Sequence, residues 1–313
     1  MSYLKNREES WIKEQMKLDR NREKEIVQQL QNAIDAIQTE IEANWDRFSN
    51  GQKITISEAR KMANKMDVKR FERKAKEYVK NKDFSPQANK ELKIYNLVMR
   101  VSRLELLKSQ IGLELITLFD ELDKWGYSQL TEAAKDEYLR QAGILGETVK
   151  ENYSSMVRKI VNASFKSSDF PSFSDNIWQN FVEMKADLEK IITQAITQGK
   201  NPRAVAKEMA KFLKPNQLNI RYKLNRLMMT EISGIQTDIQ KQSYLDADIE
   251  EYDYIAEPFA CEICKRVAKG SPYKVLKMKK GINAPYMHPH CKCSTVPKVS
   301  EDYEKSLKER GFI

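Results

Sequence analysis

The sequence predicts a mainly α-helical protein, an elongated, heptad-rich helical body that carries a small α+β module near its C-terminal end. Three observations lead there. Over long stretches of the first 250 residues, apolar side chains recur at three- and four-residue intervals, the spacing that lines one side of a helix. All four cysteines and both histidines of the 313 residues fall between Cys261 and Cys293. Just before that window, Tyr252, Tyr254 and Ala256 alternate with Asp253 and Ile255 as a short strand.

Taken in order, the first helix is set by Val27, Ile34 and Ile41 with Leu30 and Ile37, a heptad seam ending near Asn44 and Trp45. Ser49-Asn50-Gly51 is its stop signal. A second helix starts after Ser57 and runs through the basic stretch Lys69 to Lys76. Ser85-Pro86 opens the longest element, since serine caps well and proline suits the first helical position. In it Leu97, Leu104, Ile111, Leu118 and Trp125 recur every seven residues, with Val101, Leu115 and Leu122 between them and Lys108 interrupting. Leu113, Ile116 and Phe119 lie off that seam, so this helix is apolar on more than one face and suits a bundle core or a neighbouring subunit.

Serines and Pro171 break the pattern over 163–177, which reads as a linker after a helical region at 1–162. From Trp178 a helix leads to Gly199, Asn201-Pro202 caps a short helix ending before Pro215, and another covers Leu218 to Tyr244. Residues 178–250 thus form a helical part, 251–300 a zinc-binding module, and 301–313 a charged tail.

Zinc is read from the ligand spacing. Cys261-Glu-Ile-Cys264 is followed, after 23 residues, by His288-Pro289-His290-Cys291-Lys292-Cys293. Two short ligand pairs around a loop are the layout of a closed tetrahedral site. The N-terminus shows no apolar targeting segment, so a reducing cytoplasm is expected and disulfides are not. A thioredoxin-like redox pair would need a βαβ context that the flanks lack. Closing the loop costs on the order of 3 kcal/mol, against about 10–16 kcal/mol returned by a structural zinc. The aliphatics of 261–300 are too few to order the segment by burial alone. Cys261, Cys264, His288 and Cys291 are the first-choice ligands, Cys293 is able to replace His288 or Cys291, and His290 is a weaker candidate.

Composition bounds the rest. Hydrophobic residues make up 41% and charged residues 32%, and mean hydropathy is −0.67. These values describe a soluble, charge-rich protein with no membrane span. The most apolar stretch, Ile111 to Phe119, is broken by Glu114 and too short to cross a bilayer. Net charge is +9, and the last 53 residues carry 12 basic against 5 acidic side chains. Lys274, Lys277, Lys279 and Lys280 share the loop between the ligand pairs, and Lys292 sits among the ligands. Such a patch suits phosphate backbones or an acidic partner surface, or is simply a solvated loop.

The C-terminal third resembles the Mu F-like minor head (head morphogenesis) proteins of tailed bacteriophages. The match is carried by the helix bearing Leu227-Met228-Met229-Thr230-Glu231, by Cys261-x2-Cys264 after a short strand, and by Pro285-Tyr286-Met287-His288-Pro289-His290-Cys291-Lys292-Cys293. Lys292 stands where the family usually has arginine. Ala268-Lys269-Gly270 stands where the family commonly has an Asp-Gly turn. The resemblance covers 178–297. It implies a minor head protein of the virion, bound near the portal inside the head and present in the host cytoplasm during assembly. Its implied partners are the portal, the scaffold or major capsid protein, and packaged double-stranded DNA. Thr230 and Glu231 would then be a family contact site, whereas the residues alone favour an ordinary helix surface with Glu231 exposed.

Enzyme readings fit less well. Zinc deaminases need His-x-Glu before their cysteine pair, and zincins need His-Glu-x2-His. Neither motif occurs. A zinc-containing nuclease would be left with His290 as its catalytic histidine. No enzymatic activity is therefore expected, and a zinc-ribbon nucleic-acid-binding protein is the main alternative.

Overall fold

The computed structural model describes residues 3–48, 65–82, 84–89, 103–165, 171–197 and 202–310. Helices dominate: α1 (Tyr3–Phe48), α2 (Lys65–Lys82), α3 (Arg103–Leu145), α4 (Tyr153–Phe165), α5 (Phe173–Thr197) and α6 (Pro202–Asp246). An antiparallel sheet follows, built from β1 (Glu251–Ile255), β2 (Tyr273–Lys274) and β3 (Ser294–Lys298) in the order β2-β1-β3. Helix α7 (Glu262–Lys269) lies between β1 and β2 in sequence, and α8 (Glu301–Glu309) follows β3. The predicted stop at 49–51, the start at Ser57, the seam residues Leu97 and Val101, and Gly199 lie outside the described residues.

By packing, the chain divides into two compact units. One comprises Met1–Lys24, Trp125–Asp175 and Lys223–Ile313, and the other Glu25–Lys124 and Asn176–Tyr222. In the second unit, residues 111–120 of α3 are buried all round, as a core helix with apolar residues on several faces must be. Phe119 meets the edge of Phe181 at 5.8 Å between ring centroids. Ile26, Leu30, Ile34 and Ile37 are the buried stripe of α1 here, so Ile26 rather than Val27 faces inward. Lys74 bridges two buried carboxylates, Glu40 (2.5 Å) and Glu114 (2.9 Å). Ser85 does cap a helical turn at 86–89, accepting the Ala88 N–H at 3.3 Å.

The first unit holds the sheet. Gly146 ends α3 with φ 63°, and the Glu147 N–H closes back onto the Ala142 carbonyl at 2.9 Å, the usual glycine stop of a helix. Helix α5 starts at Phe173, five residues before the expected Trp178. Ser172 Oγ accepts the Asp175 N–H (3.1 Å), and the Asp175 carboxylate accepts the Ser172 N–H (2.9 Å). That reciprocal pair is a capping box, with Asp in the place of Glu. Part of the expected linker is therefore helix.

Two further expectations are corrected. Pro215 does not end a helix, because α6 runs unbroken from Pro202 to Asp246. A proline inside a helix loses one hydrogen bond and crowds the carbonyl four residues back, at about 3 kcal/mol, and burial of the stripe Ile220, Leu224, Met228, Ile232, Ile235 and Ile239 offsets that cost. Nor is the sheet module poor in apolar partners. Tyr252, Val275, Met278 and Ala284 pack with Leu145 of α3 and Tyr244 of α6. Ile255 and Val296 pack with Leu4, Ile12 and Ile144. At about 1.5–3 kcal/mol per large buried side chain, these contacts order the module alongside any ion. The sequence count missed them because it looked only within 261–300, whereas Leu4, Ile12, Ile144 and Leu145 come from helices more than 100 residues away.

Candidate metal centre and the helix face behind it

Two local devices gather the donors. After β1 the chain turns, with the Ala260 N–H on the Glu257 carbonyl at 3.0 Å, and sets Cys261 at the N-cap of α7. Cys264 follows one turn on and is buried, so both sulfurs share one side of the helix. Helix α7 then closes at Gly270, whose N–H reaches the carbonyls of Arg266 and Val267. The Ala-Lys-Gly sequence thus supplies the turn after the second cysteine. On the other side, the Cys291 N–H donates to the His288 carbonyl (3.1 Å), a tight turn that folds the second ligand pair together ahead of β3.

His288 Nε2 lies 3.2 Å from Cys261 Sγ and 3.4 Å from Cys264 Sγ. Cys264 Sγ lies 3.8 Å from Cys291 Sγ. A tetrahedral ion with bonds of about 2.3 Å to sulfur and about 2.0 Å to nitrogen requires S···S edges of about 3.8 Å and S···N edges of about 3.5 Å. The donors therefore fit that polyhedron. Among the described residues, the close groups are Cys261, Cys264 and His288, and Cys264, Cys291 and Cys293, with Cys264 common to both.

The imidazole tautomer fits as well. His288 Nδ1 lies 2.8 Å from the Pro289 carbonyl, which can only accept, so the proton sits on Nδ1 and the Nε2 lone pair faces the sulfurs. The N–H groups at the start of α7, that of Cys264 foremost, hold the Cys261 thiol below the usual range, although none closes a strict capping bond. Burial pushes the Cys264 thiol up to about 12, so its thiolate needs a cation beside it. Cys293 donates toward Cys291 and holds it near the thiolate, down to about 5, while its own thiol is pushed up. Tyr254 Oη lies 3.7 Å from Cys291 Sγ. Cys293 Sγ accepts the Glu257 N–H at 3.5 Å. His290 belongs to neither group and adopts a left-handed φ of 65°.

The five lysines do not form one patch of free charge. Lys274 pairs with Glu250 and Glu251, both at 3.3 Å, Lys280 with Asp238 (2.6 Å) and Lys292 with Asp19 (2.9 Å). Lys277 and Lys279 are exposed and form no ion pair among the described residues.

Of Thr230 and Glu231, only the carboxylate departs from the expected helix surface. Thr230 Oγ1 donates to the Arg226 carbonyl of its own helix (2.7 Å). Glu231 is not exposed: it accepts the Ser164 hydroxyl at 2.6 Å, and burial raises its pKa. It begins a stripe along α6 that holds the module. Gly234 faces Tyr286, Asp238 takes Lys280, and Lys241 Nζ donates to the Met278 carbonyl. Gln240 bonds Ser294 and Thr295, and Tyr244 bonds Thr295. Spacings of three and four residues keep these groups on adjoining sides of one helix. Sequence reading missed Ser164, Asp238 and Asp19, whose partners are set only by tertiary packing.

Residues 186–296 match the model of the family described as phage Mu protein F like protein. The matched span runs from α5 into β3 and contains Thr230, Glu231 and all five candidate ligands. The resemblance read from the motifs is thus borne out over that span. No curated protein and no solved structure matches the chain.

Proposed function

From its Mu F-like segment, we propose that this chain is a minor head protein of a tailed bacteriophage. It acts inside the head near the portal, in assembly and in DNA packaging or ejection, by docking to other head proteins. The observation carrying this reading is the family match over 186–296. It is supported by the close contact of Gly234 with Tyr286, which joins the helix bearing Thr230 and Glu231 to the segment bearing the second ligand pair. Among the described residues, no helix is long and apolar enough to cross a membrane, in keeping with a virion component that assembles in the host cytoplasm.

The centre at Cys261, Cys264, His288 and Cys291 holds a structural Zn²⁺ in this proposal. Sulfur and imidazole donors select such an ion over hard cations. Bound there, it would supply a cross-link between α7 and the segment entering β3. The chain itself directs His288 Nε2 inward through Pro289 and shields Cys264 and Cys291 from water. No enzymatic role is assigned, since the sequence carries neither the His-x-Glu of zinc deaminases nor the His-Glu-x2-His of zincins.

Any direct DNA contact in this reading falls to few side chains. Lys274, Lys280 and Lys292 are matched by carboxylates, which leaves Lys277 and Lys279 to meet phosphate. Purified procapsids and mature heads of the source phage test the proposal. Mass spectrometry is expected to find this chain at low copy, and loss of its gene is expected to leave particles defective in assembly or genome delivery. Absence of the chain from both particles would refute it.

A further inference from the structure

We propose that the turn at residues 275–284, between the two ligand pairs, is a preformed docking knob that seats Leu276 and Ile282 in an apolar recess on an acidic face of another head protein. This rests on the minor-head reading and names the surface that does the docking. Leu276 is 83% exposed and Ile282 59% exposed, although scattered exposed aliphatics are ordinary on any protein. What distinguishes these two is that the turn carrying them is rigid without their help.

Val275, Met278 and Ala284 plug the turn into the core beside Tyr244 and Tyr252. The Lys279 carbonyl accepts the N–H groups of Ile282, Asn283 and Ala284, each at 3.2 Å. Asn283 locks the turn from within: its Oδ1 accepts the Lys279 N–H (2.8 Å) and its Nδ2 donates to the Lys277 carbonyl (3.0 Å). Tyr252 Oη and Lys241 Nζ donate to the carbonyls of Asn283 and Met278. Polar side chains at 276 and 282 would leave every one of these bonds intact. Folding therefore does not ask for the two aliphatics, and a rigid display lowers the entropy cost of binding through them.

Charge picks the partner. Lys277 and Lys279, the exposed lysines of the turn, are the two that remain unmatched by a carboxylate among the described residues, so the apolar tips sit in a local positive field. An acidic protein face with a recess satisfies both features. A phosphate backbone would use the lysines but leave the leucine and isoleucine without partners.

The test uses the full chain and the purified portal, scaffold and major capsid proteins of the same phage, with double-stranded DNA and anionic vesicles as further probes. Binding is followed by interferometry. Wild-type chain is expected to bind one head protein in a salt-dependent way. Leu276→Ser with Ile282→Ser is expected to weaken that binding at least about tenfold, as loss of central apolar anchors does, with unchanged thermal melting. Lys277→Glu with Lys279→Glu is expected to slow association several-fold. If the serine double variant binds its head protein as well as wild type does, the knob is refuted and the minor-head reading stands. If wild type binds no head protein, both fall. Loss of DNA or vesicle binding alone would also overturn the knob.

Discussion

A Cβ placed on Gly234 would lie 2.8 Å from Cε1 of Tyr286, so these two residues meet at a separation that only a glycine permits. Gly234 comes three residues after Glu231, and Tyr286 two before His288, so the contact ties α6 to the segment that presents this candidate ligand. Gly234→Ala is expected to cost about 1–3 kcal/mol, the usual penalty of overpacking, and to speed metal loss to a chelator. Urea unfolding and chelator competition read the two effects. An unchanged midpoint would mean that the ring slides aside.

Metal content discriminates among the five candidate ligands. Elemental analysis of purified chain is expected to give one zinc per molecule, and close to none for Cys264→Ser, the sulfur shared by both close groups. Cys293→Ser is expected to keep its zinc, because Cys261, Cys264, His288 and Cys291 supply four donors without it. Zinc in Cys264→Ser at the wild-type level would defeat this ligand assignment.

Glu231 makes a pH prediction. Burial raises its pKa above the ordinary carboxyl value of 4.5, with Ser164 and Lys280 only partly offsetting it. Below that ordinary value both folded and unfolded chains hold the proton, and the residue costs nothing. As pH rises, the unfolded chain ionises first, so the charge progressively lowers stability until the raised folded value is passed. Glu231→Gln is therefore expected to match wild type near pH 4 and to exceed it near pH 7, by urea midpoints at both. A gain of equal size at both pH values would point away from ionisation.

How much of this was legible in the sequence depended on whether a signal was local. The ligand window was, because Cys261 to Cys293 is one short stretch whose residue types have few other uses. The strand through Tyr252 and Tyr254 and the cap at Ser85 were local as well. Ser172-Phe173-Ser174-Asp175 was legible too, as a Ser-x2-Asp capping box, but the serine-rich composition around it reads as loop. Pro215 carries a breaker signal that the buried stripe of α6 overrides. The pairings of Lys292 with Asp19 and of Glu231 with Ser164 join residues far apart in the chain, and no spacing rule reaches them.

The capping box makes its own prediction. Ser172→Ala removes the acceptor for the Asp175 N–H and is expected to cost about 1 kcal/mol. Ser172→Gly is expected to cost only a few tenths of a kcal/mol, since glycine tolerates the cap position. Equal losses for the two variants, read by urea unfolding, would show that the hydroxyl has another task.

The most demanding prediction concerns Arg140. Its guanidinium joins two buried carboxylates, Glu8 at 2.6 Å and Glu137 at 2.7 Å, and lies 3.9 Å from the centre of the Trp11 ring. Ser294 donates to Glu8, and Gln141 and Gln240 donate to Glu137, so α1, α3, α6 and β3 share one polar knot. Arg140→Met leaves two carboxylates facing each other without a cation, expected to cost about 3–5 kcal/mol at neutral pH. Burial already raises the Glu8 pKa; without the arginine it rises further, and a proton takes over the bridging role in acid. The loss should therefore shrink as pH falls toward 5. Adding Glu8→Gln and Glu137→Gln to Arg140→Met should recover most of the stability, because neutral amides leave no uncompensated charge. Should the triple variant be as unstable as Arg140→Met alone, packing against Trp11 rather than charge would be what Arg140 contributes.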